Sequence, residues 1–234
     1  MGSKEKAVVL LSGGLDSSYN LWLASKDYEV VLALTFDYGQ KASVAEVVSS
    51  AALCQKLNIS HKVITLPWFK DFSRSALTSE KEIIPTKEKV KLDDKERSLS
   101  TARQVWVPNR NGIFLNIAAG YAEGWGASTV LIGFNKEEAQ TFPDNSLSYQ
   151  QVLNQALKYS TASGVQIKSF CGAMTKAEII SHGLKMGLPL NLLWPCYFSG
   201  SHWCGECESC LRFKRALEGQ KIELREALPW ATKI

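Results

Sequence analysis

The sequence predicts an α/β protein organised around a doubly wound parallel sheet, with a zinc-binding loop and helix near its C-terminal end. Three observations carry that expectation. Short β-rich apolar runs alternate with segments of helical period along most of the chain, as βα units require. A glycine-rich turn follows the first run, at the carboxyl end of a strand, where open α/β sheets bind ligands. Four of six cysteines crowd into fifteen positions, from Cys196 to Cys210.

In chain order, residues 7–11 are fully apolar and read as a buried strand, with a helical pattern starting at Ser17. Residues 30–36 and 62–66 read as strands, and 42–57 as the helix between them. From about 67 to 103 the rhythm breaks, and residues 80–97 are dense in mixed charge. A connection this long is either an active-site lid or a disordered, solvated segment. Helices are expected near 111–125 and 149–159, and strands at 129–134 and 165–170. Thr175 and Glu178 form a capping-box pattern that opens a further helix, and Gly187 and Pro189 mark its end. Residues 1–190 then make the main domain, and 191–234 a C-terminal appendage.

Bulk properties narrow the function. The 234 residues are 45% hydrophobic and 21% charged, ordinary for a globular enzyme, and can bury a core without disulfides. A net charge of +4 suits anionic ligands but falls short of a nucleic-acid footprint. No apolar run approaches the ~18 residues of a membrane span. The first apolar run is too short for a signal peptide, and Lys6 spoils a myristoylation motif after Met1-Gly2. The expected location is the cytoplasm, where cysteines serve metals or catalysis more often than disulfides.

The turn is Leu11-Ser12-Gly13-Gly14-Leu15-Asp16-Ser17-Ser18. Two glycines let successive backbone N–H groups point into one concavity, a nest for anionic oxygens. The following helix start adds partial positive charge, and the serines add hydroxyl donors. Asp16 is out of place beside a phosphate unless Mg²⁺ bridges the two. No lysine follows the glycines, so this is neither a Walker A loop nor a dinucleotide fingerprint.

Cys196, Cys204, Cys207 and Cys210 offer four thiolates within one loop, and Gly205 permits the turn that aims two of them at one ion. Four sulfur ligands leave no open position, so the expected Zn²⁺ is structural. His202 lies among them but is not assigned as a ligand.

The Ser-Gly-Gly-x-Asp-Ser string resembles the PP-loop of the ATP-pyrophosphatase superfamily. That likeness implies a Rossmann-like fold of the adenine nucleotide α-hydrolase type, and cleavage of ATP to AMP and pyrophosphate. Joined to the C-terminal Cys-Gly-x-Cys-x-x-Cys, the chain is similar to the 7-cyano-7-deazaguanine synthase family. Phe36-Asp37-Tyr38-Gly39-Gln40 matches that family's segment after the second strand, and residues 107–115, from Val107-Pro108-Asn109-Arg110, match a helix-entry motif. Pro143-Asp144, Lys176-Ala177-Glu178 and Cys196-Tyr197 fall in the same order, so the likeness spans nearly the whole chain. It departs at Lys41-Ala42, where the family reads Arg-His. It departs again at residues 135–146, where the family reads Glu-Thr-Asp-x-Ser-Gly-Tyr-Pro-Asp-Cys-Arg.

The resemblance implies that ATP activates the carboxylate of 7-carboxy-7-deazaguanine as an adenylate, that ammonia converts it to an amide, and that a second activation gives the nitrile. It also implies a homodimer. Pyrophosphate falls to the serine–glycine turn, phosphate contact to Lys176, and the α-phosphate or substrate carboxylate to Arg110, whose planar fork fits. Asn109 joins the substrate site through the helix-entry motif. A deazaguanine presents N–H donors, which calls for a carboxylate (Asp144 or Glu137) and an aromatic platform (Phe142 or Tyr38). Three rivals remain open at this point: attachment of the acyl group to another amine, tRNA thiolation through Cys171 or Cys54, and a nucleic-acid-binding zinc module using Arg212, Lys214 and Arg215.

Overall fold

In the computed structural model, which describes residues 3–221, the first half of the chain lays down three strands with helices between them. β1 (Lys6–Leu10) leads to α1 (Leu15–Asp27), β2 (Glu29–Asp37), α2 (Ser43–Leu57) and β3 (His61–Thr65). The short helix α3 (Phe69–Phe72), α4 (Lys95–Val105) and α5 (Arg110–Gly124) follow. β4 (Thr129–Leu131), α6 (Leu147–Ser160), β5 (Gln166–Lys168), α7 (Lys176–Lys185) and α8 (Glu208–Gly219) complete the described chain. Residues 222–234 of the expected appendage, and Met1-Gly2, lie outside it.

All five strands are parallel, in the order β3-β2-β1-β4-β5. Ala7, Val8 and Val9 of β1 are fully buried because helices cover both faces of a central parallel strand. The chain winds outward from β1 to β3, then returns to the other side of β1 through β4. That reversal opens a crevice above the carboxyl ends of β1 and β4. The loops after these two strands are the two sides of the candidate site.

Where the elements differ from expectation, local causes are visible. α1 starts at Leu15 rather than Ser17, because Gly14 takes the extended N-cap conformation (φ −75°, ψ 169°). β4 stops at Leu131, short of 134. A side chain at Gly133 would put its Cβ 2.5 Å from the Ser17 backbone nitrogen, so the strand leaves the ladder to let α1 approach. β5 is shortened likewise, and its tail is held by side chains, with Ser169 Oγ donating to the Phe134 carbonyl at 2.8 Å.

Inside residues 67–103 starts α4, a helix the sequence reading does not place, which runs on to Val105. Asp94 caps it, accepting a hydrogen bond from the Arg97 N–H at 3.1 Å. Its buried stripe is Ser98, Thr101, Ala102 and Val105, small and polar enough to hide among the charges. This connection packs on the cysteine loop. Thr86 bridges to Cys207, the Lys87 N–H donates to the Glu206 carbonyl at 3.1 Å, and Thr101 Oγ1 donates to Glu208 Oε2 at 3.1 Å. No helix among the described residues is long and apolar enough to cross a membrane.

Candidate active site and metal centre

The serine–glycine turn is held from behind. Gly13 sits at φ +74°, and a Cβ there would meet Ser49 Oγ at 2.6 Å, so only glycine fits. Ser49 on α2 donates to the Gly13 carbonyl at 3.1 Å and to the Leu192 carbonyl at 2.6 Å, while the Trp194 N–H donates to Gly13 at 2.8 Å. Ser12 and Ser17 hydroxyls lie 3.1 Å apart across the mouth of the turn. The backbone is thus fixed in shape before any ligand arrives. Ser18 points elsewhere: it is fully buried, outside the cavity lining, with its hydroxyl unpaired.

A cavity of about 250 Å³ opens in front of the turn. Ser12, Gly14, Leu15, Asp16 and Ser17 line one side, together with Leu11. Lys176 stands opposite, at the start of α7, and is 5% exposed. Its Nζ reaches Asp16 Oδ2 at 2.7 Å and Glu138 Oε1 at 2.8 Å. The capping box that positions it is present, with Thr175 and Glu178 each bonded to the other's backbone N–H. Burial pushes the Asp16 carboxyl up to about 6 against the pull of Lys176. Burial acts the same way on Glu138, but there Lys176 prevails and the carboxyl is held below its ordinary value. Asp16 Oδ1 is buried without a partner.

The far wall is aromatic and basic. Arg110, the first residue of α5, donates from Nη1 to the Tyr38 hydroxyl at 3.3 Å. Asn109, in the left-handed conformation (φ 49°), turns the chain into that helix, and its side chain fills the space over Gly112. Asn109 shapes the entry to α5 and is not among the lining residues. Tyr38 packs on Phe69 and Phe114, and Phe114 stacks on Phe36 with ring centroids 4.1 Å apart. Phe142 lines the cavity and stacks on Trp106.

Two expected carboxylates are not in the lining. Glu137 turns to the helix start, accepting from the Lys176 N–H at 2.8 Å and pairing with Arg212 Nη1 at 3.8 Å. Asp144 lies beside the cavity, its carboxyl receiving Asn145 Nδ2 at 3.4 Å. Their places are taken by Glu138 and by Glu46, a residue the sequence reading passed over. Glu46 sits one helical turn before Ser49 and Ser50, on the inner stripe of α2 that continues to Leu53. A charged residue on a buried stripe was the available signal.

The four cysteine sulfurs converge within 4.8 Å of one another. A tetrahedron of 2.3 Å zinc–sulfur bonds has edges of about 3.8 Å, so the cluster fits that ion with little adjustment. Backbone N–H groups of Phe198 and Cys204 donate to Cys196 Sγ at 3.4 and 3.3 Å, and that of Cys207 to Cys204 Sγ at 3.3 Å, which favours thiolates. Gly205 adopts φ +72° in the turn between them. His202 is exposed and bonds to Ser201, outside the cluster. Cys196 also lines the cavity, so the metal centre and the candidate site share a wall.

The family described as Queuosine biosynthesis protein QueC matches residues 6–221. The chain belongs to the QueC family. Curated 7-cyano-7-deazaguanine synthases resemble it along nearly their full length. That of Bdellovibrio bacteriovorus is 50% identical over 96% of this chain and 98% of its own. Those of Desulforudis audaxviator (48%, covering 90% and 96%) and Pelotomaculum thermopropionicum (46%, covering 94% and 99%) are similar. Among solved structures, an NH3-dependent NAD synthetase from Campylobacter jejuni overlaps 82% of this chain and 68% of its own at 21% identity, with a TM-score of 0.45.

Two of the three rivals lose their footing in the same geometry. Thiolation needs a reactive thiolate, yet burial pushes both Cys171 and Cys54 up to about 12. Cys171 is instead a packed core group, receiving Asn20 Nδ2 at 3.0 Å and donating to the Phe134 carbonyl at 3.1 Å. The basic run after the cysteines is not a patch either. Arg212 is buried against Glu208 at 2.7 Å, and Arg215 pairs with Asp93 at 2.7 Å.

Proposed function

We propose that this protein is an ATP-dependent ligase that converts 7-carboxy-7-deazaguanine and ammonia to 7-cyano-7-deazaguanine. The observation that supports it most directly is one cavity joining a preformed anion nest to a buried Lys176–Asp16–Glu138 cluster, in a chain of the QueC family.

A carboxylate is a poor electrophile because its leaving group would be oxide. Attack of the substrate carboxylate on the α-phosphorus of ATP forms an acyl-adenylate and releases pyrophosphate. Ammonia displaces AMP to give the amide and one proton. The amide oxygen then attacks the α-phosphorus of a second ATP, again releasing pyrophosphate, and loss of AMP together with both amide protons leaves the nitrile. Both activations act on oxygen attached to the same carbon, so one pocket serves both.

The protein's part is positioning and charge neutralisation. Ser12, Gly13, Gly14 and Ser17, with the first N–H groups of α1, hold the departing pyrophosphate. Lys176 neutralises charge on the phosphates, and Arg110 grips the α-phosphate or the substrate carboxylate. Mg²⁺, which neutralises phosphate charge when bound, would be held by Asp16 through the unpaired Oδ1, with Glu138 alongside. Cys196, Cys204, Cys207 and Cys210 would hold Zn²⁺ as a structural ion, which would brace the loop that carries Trp194 and Cys196. A cytoplasmic homodimer is the expected form.

The deciding experiment incubates protein with Mg-ATP, ammonium and 7-carboxy-7-deazaguanine and follows products by mass spectrometry. AMP together with the nitrile is expected. A substituted amide formed with other amines, and no nitrile, would overturn the proposal.

A further inference from the structure

The geometry points to Glu46 as the residue that reads the hydrogen-bonding edge of the deazaguanine ring, an inference that rests on the proposed function. Among the described residues, three carboxylates line the cavity: Asp16, Glu138 and Glu46. Lys176 occupies the first two at 2.7 and 2.8 Å. Glu46 has no such partner. Its Oε2 accepts one hydrogen bond, from Gln40 Nε2 at 2.7 Å, and it makes no ion pair within 4 Å among the described residues. It therefore keeps acceptor capacity facing the cavity.

The surroundings match the edge it would meet. A 7-deazaguanine ring carries a ring N–H and an exocyclic amine side by side, two donors that a carboxylate can accept together, and next to them a carbonyl oxygen. Arg110 lies near enough to act on the Glu46 carboxyl electrostatically and offers donors to that carbonyl. Phe36, Phe114 and Tyr38 supply a stacked aromatic wall on the same side of the cavity. The Glu46 backbone also adjoins the phosphate turn, because its carbonyl would lie 3.1 Å from a Cβ on Gly13. A ring held by Glu46 thus keeps its carboxylate within the same small cavity as the phosphates.

Adenine could offer its single amine to the same group, and the test separates the two. Equilibrium binding to the zinc-loaded protein is measured by calorimetry for 7-carboxy-7-deazaguanine, its analogue lacking the exocyclic amine, and a non-hydrolysable ATP mimic. The wild type should bind the full ring more tightly than the analogue. Glu46→Gln should weaken the full ring by roughly ten- to a hundredfold, the range for a hydrogen bond to a charged group, and should no longer distinguish it from the analogue. Affinity for the ATP mimic should change less than about twofold on the same scale. Loss confined to the ATP mimic, or unchanged discrimination between the rings, overturns the assignment. Failure of the wild type to bind the deazaguanine overturns the functional reading itself.

Should Glu46→Gln not fold, the wild type carries the test through pH. The groups facing Glu46 are Asp37 at the end of β2, Gln40 just after it and Arg110 on α5, and burial pushes its carboxyl up to about 7. Binding of the full ring should tighten as pH rises through 7 while that of the amine-lacking analogue changes less. A flat difference between the two refutes the role.

Discussion

Glu46→Gln should also make the folded protein more stable, by an amount that grows above about pH 4.5 and is complete by about pH 7. Burial raises the Glu46 carboxyl from 4.5 in a free chain to about 7, despite the Gln40 hydrogen bond and Arg110 pulling the other way. An acid whose pKa is raised by folding gives up its proton first in the unfolded state. Stability therefore falls as pH climbs from about 4.5 to about 7, and the loss is complete above that window. At about 1.4 kcal/mol per tenfold change in proton affinity, the gap is worth roughly 3 kcal/mol. Glu46 is only partly buried and keeps some of its water, so roughly 1–3 kcal/mol is expected in practice. For a chain this size that is a rise in Tm of about 2–12 °C. Thermal unfolding of both proteins at pH 5 and pH 8 tests it. The two should nearly coincide at pH 5, with the variant higher at pH 8. Equal Tm at pH 8, or a gain that is the same at both pH values, refutes the reasoning.

Three further outcomes follow from the geometry. Lys176→Met leaves Asp16 and Glu138 facing each other without their shared cation; unfolding in urea should show a loss of roughly 3–5 kcal/mol at pH 7.5, shrinking as pH falls, because Asp16, already raised to about 6 beside Lys176, takes up a proton more readily once that cation is gone. Cys207→Ser removes one sulfur from the cage, and metal content by elemental analysis should drop along with affinity for the ATP mimic, since Trp194 on the same loop holds Gly13. Cys171→Ser keeps a donor and acceptor at the same place and should leave turnover unchanged; loss of nitrile formation with the fold intact would restore a catalytic thiol.

Local signals were legible in the sequence, and long-range ones were not. The serine–glycine turn announces itself because its requirement for φ > 0 and small side chains is met within a few residues, and the Thr175–Glu178 box places Lys176 at a helix start for the same reason. The cysteine cage is legible from spacing alone. Glu137 and Glu138 show the limit. They are neighbours in sequence, and only the short 3-10 turn that carries Glu138 decides which one faces the cavity and which one turns to α7. Helix α4 was hidden because it buries serine, threonine and alanine rather than a stripe of leucines, against partners more than a hundred residues away such as Glu208. Arg212 reads as a surface cation until Glu208, one turn earlier, is seen to bury it. Such pairings belong to tertiary structure, which periodicity does not encode.

The shared wall at Cys196 has a consequence for an enzyme of the proposed activity, which would consume two ATP per product. Stripped of its ion, the protein would lose the cage and, two residues away, the Trp194 grip on the serine–glycine turn proposed to hold pyrophosphate. Such a molecule would fall silent instead of burning nucleotide to no purpose, so metal starvation would idle the reaction without draining the cell's fuel.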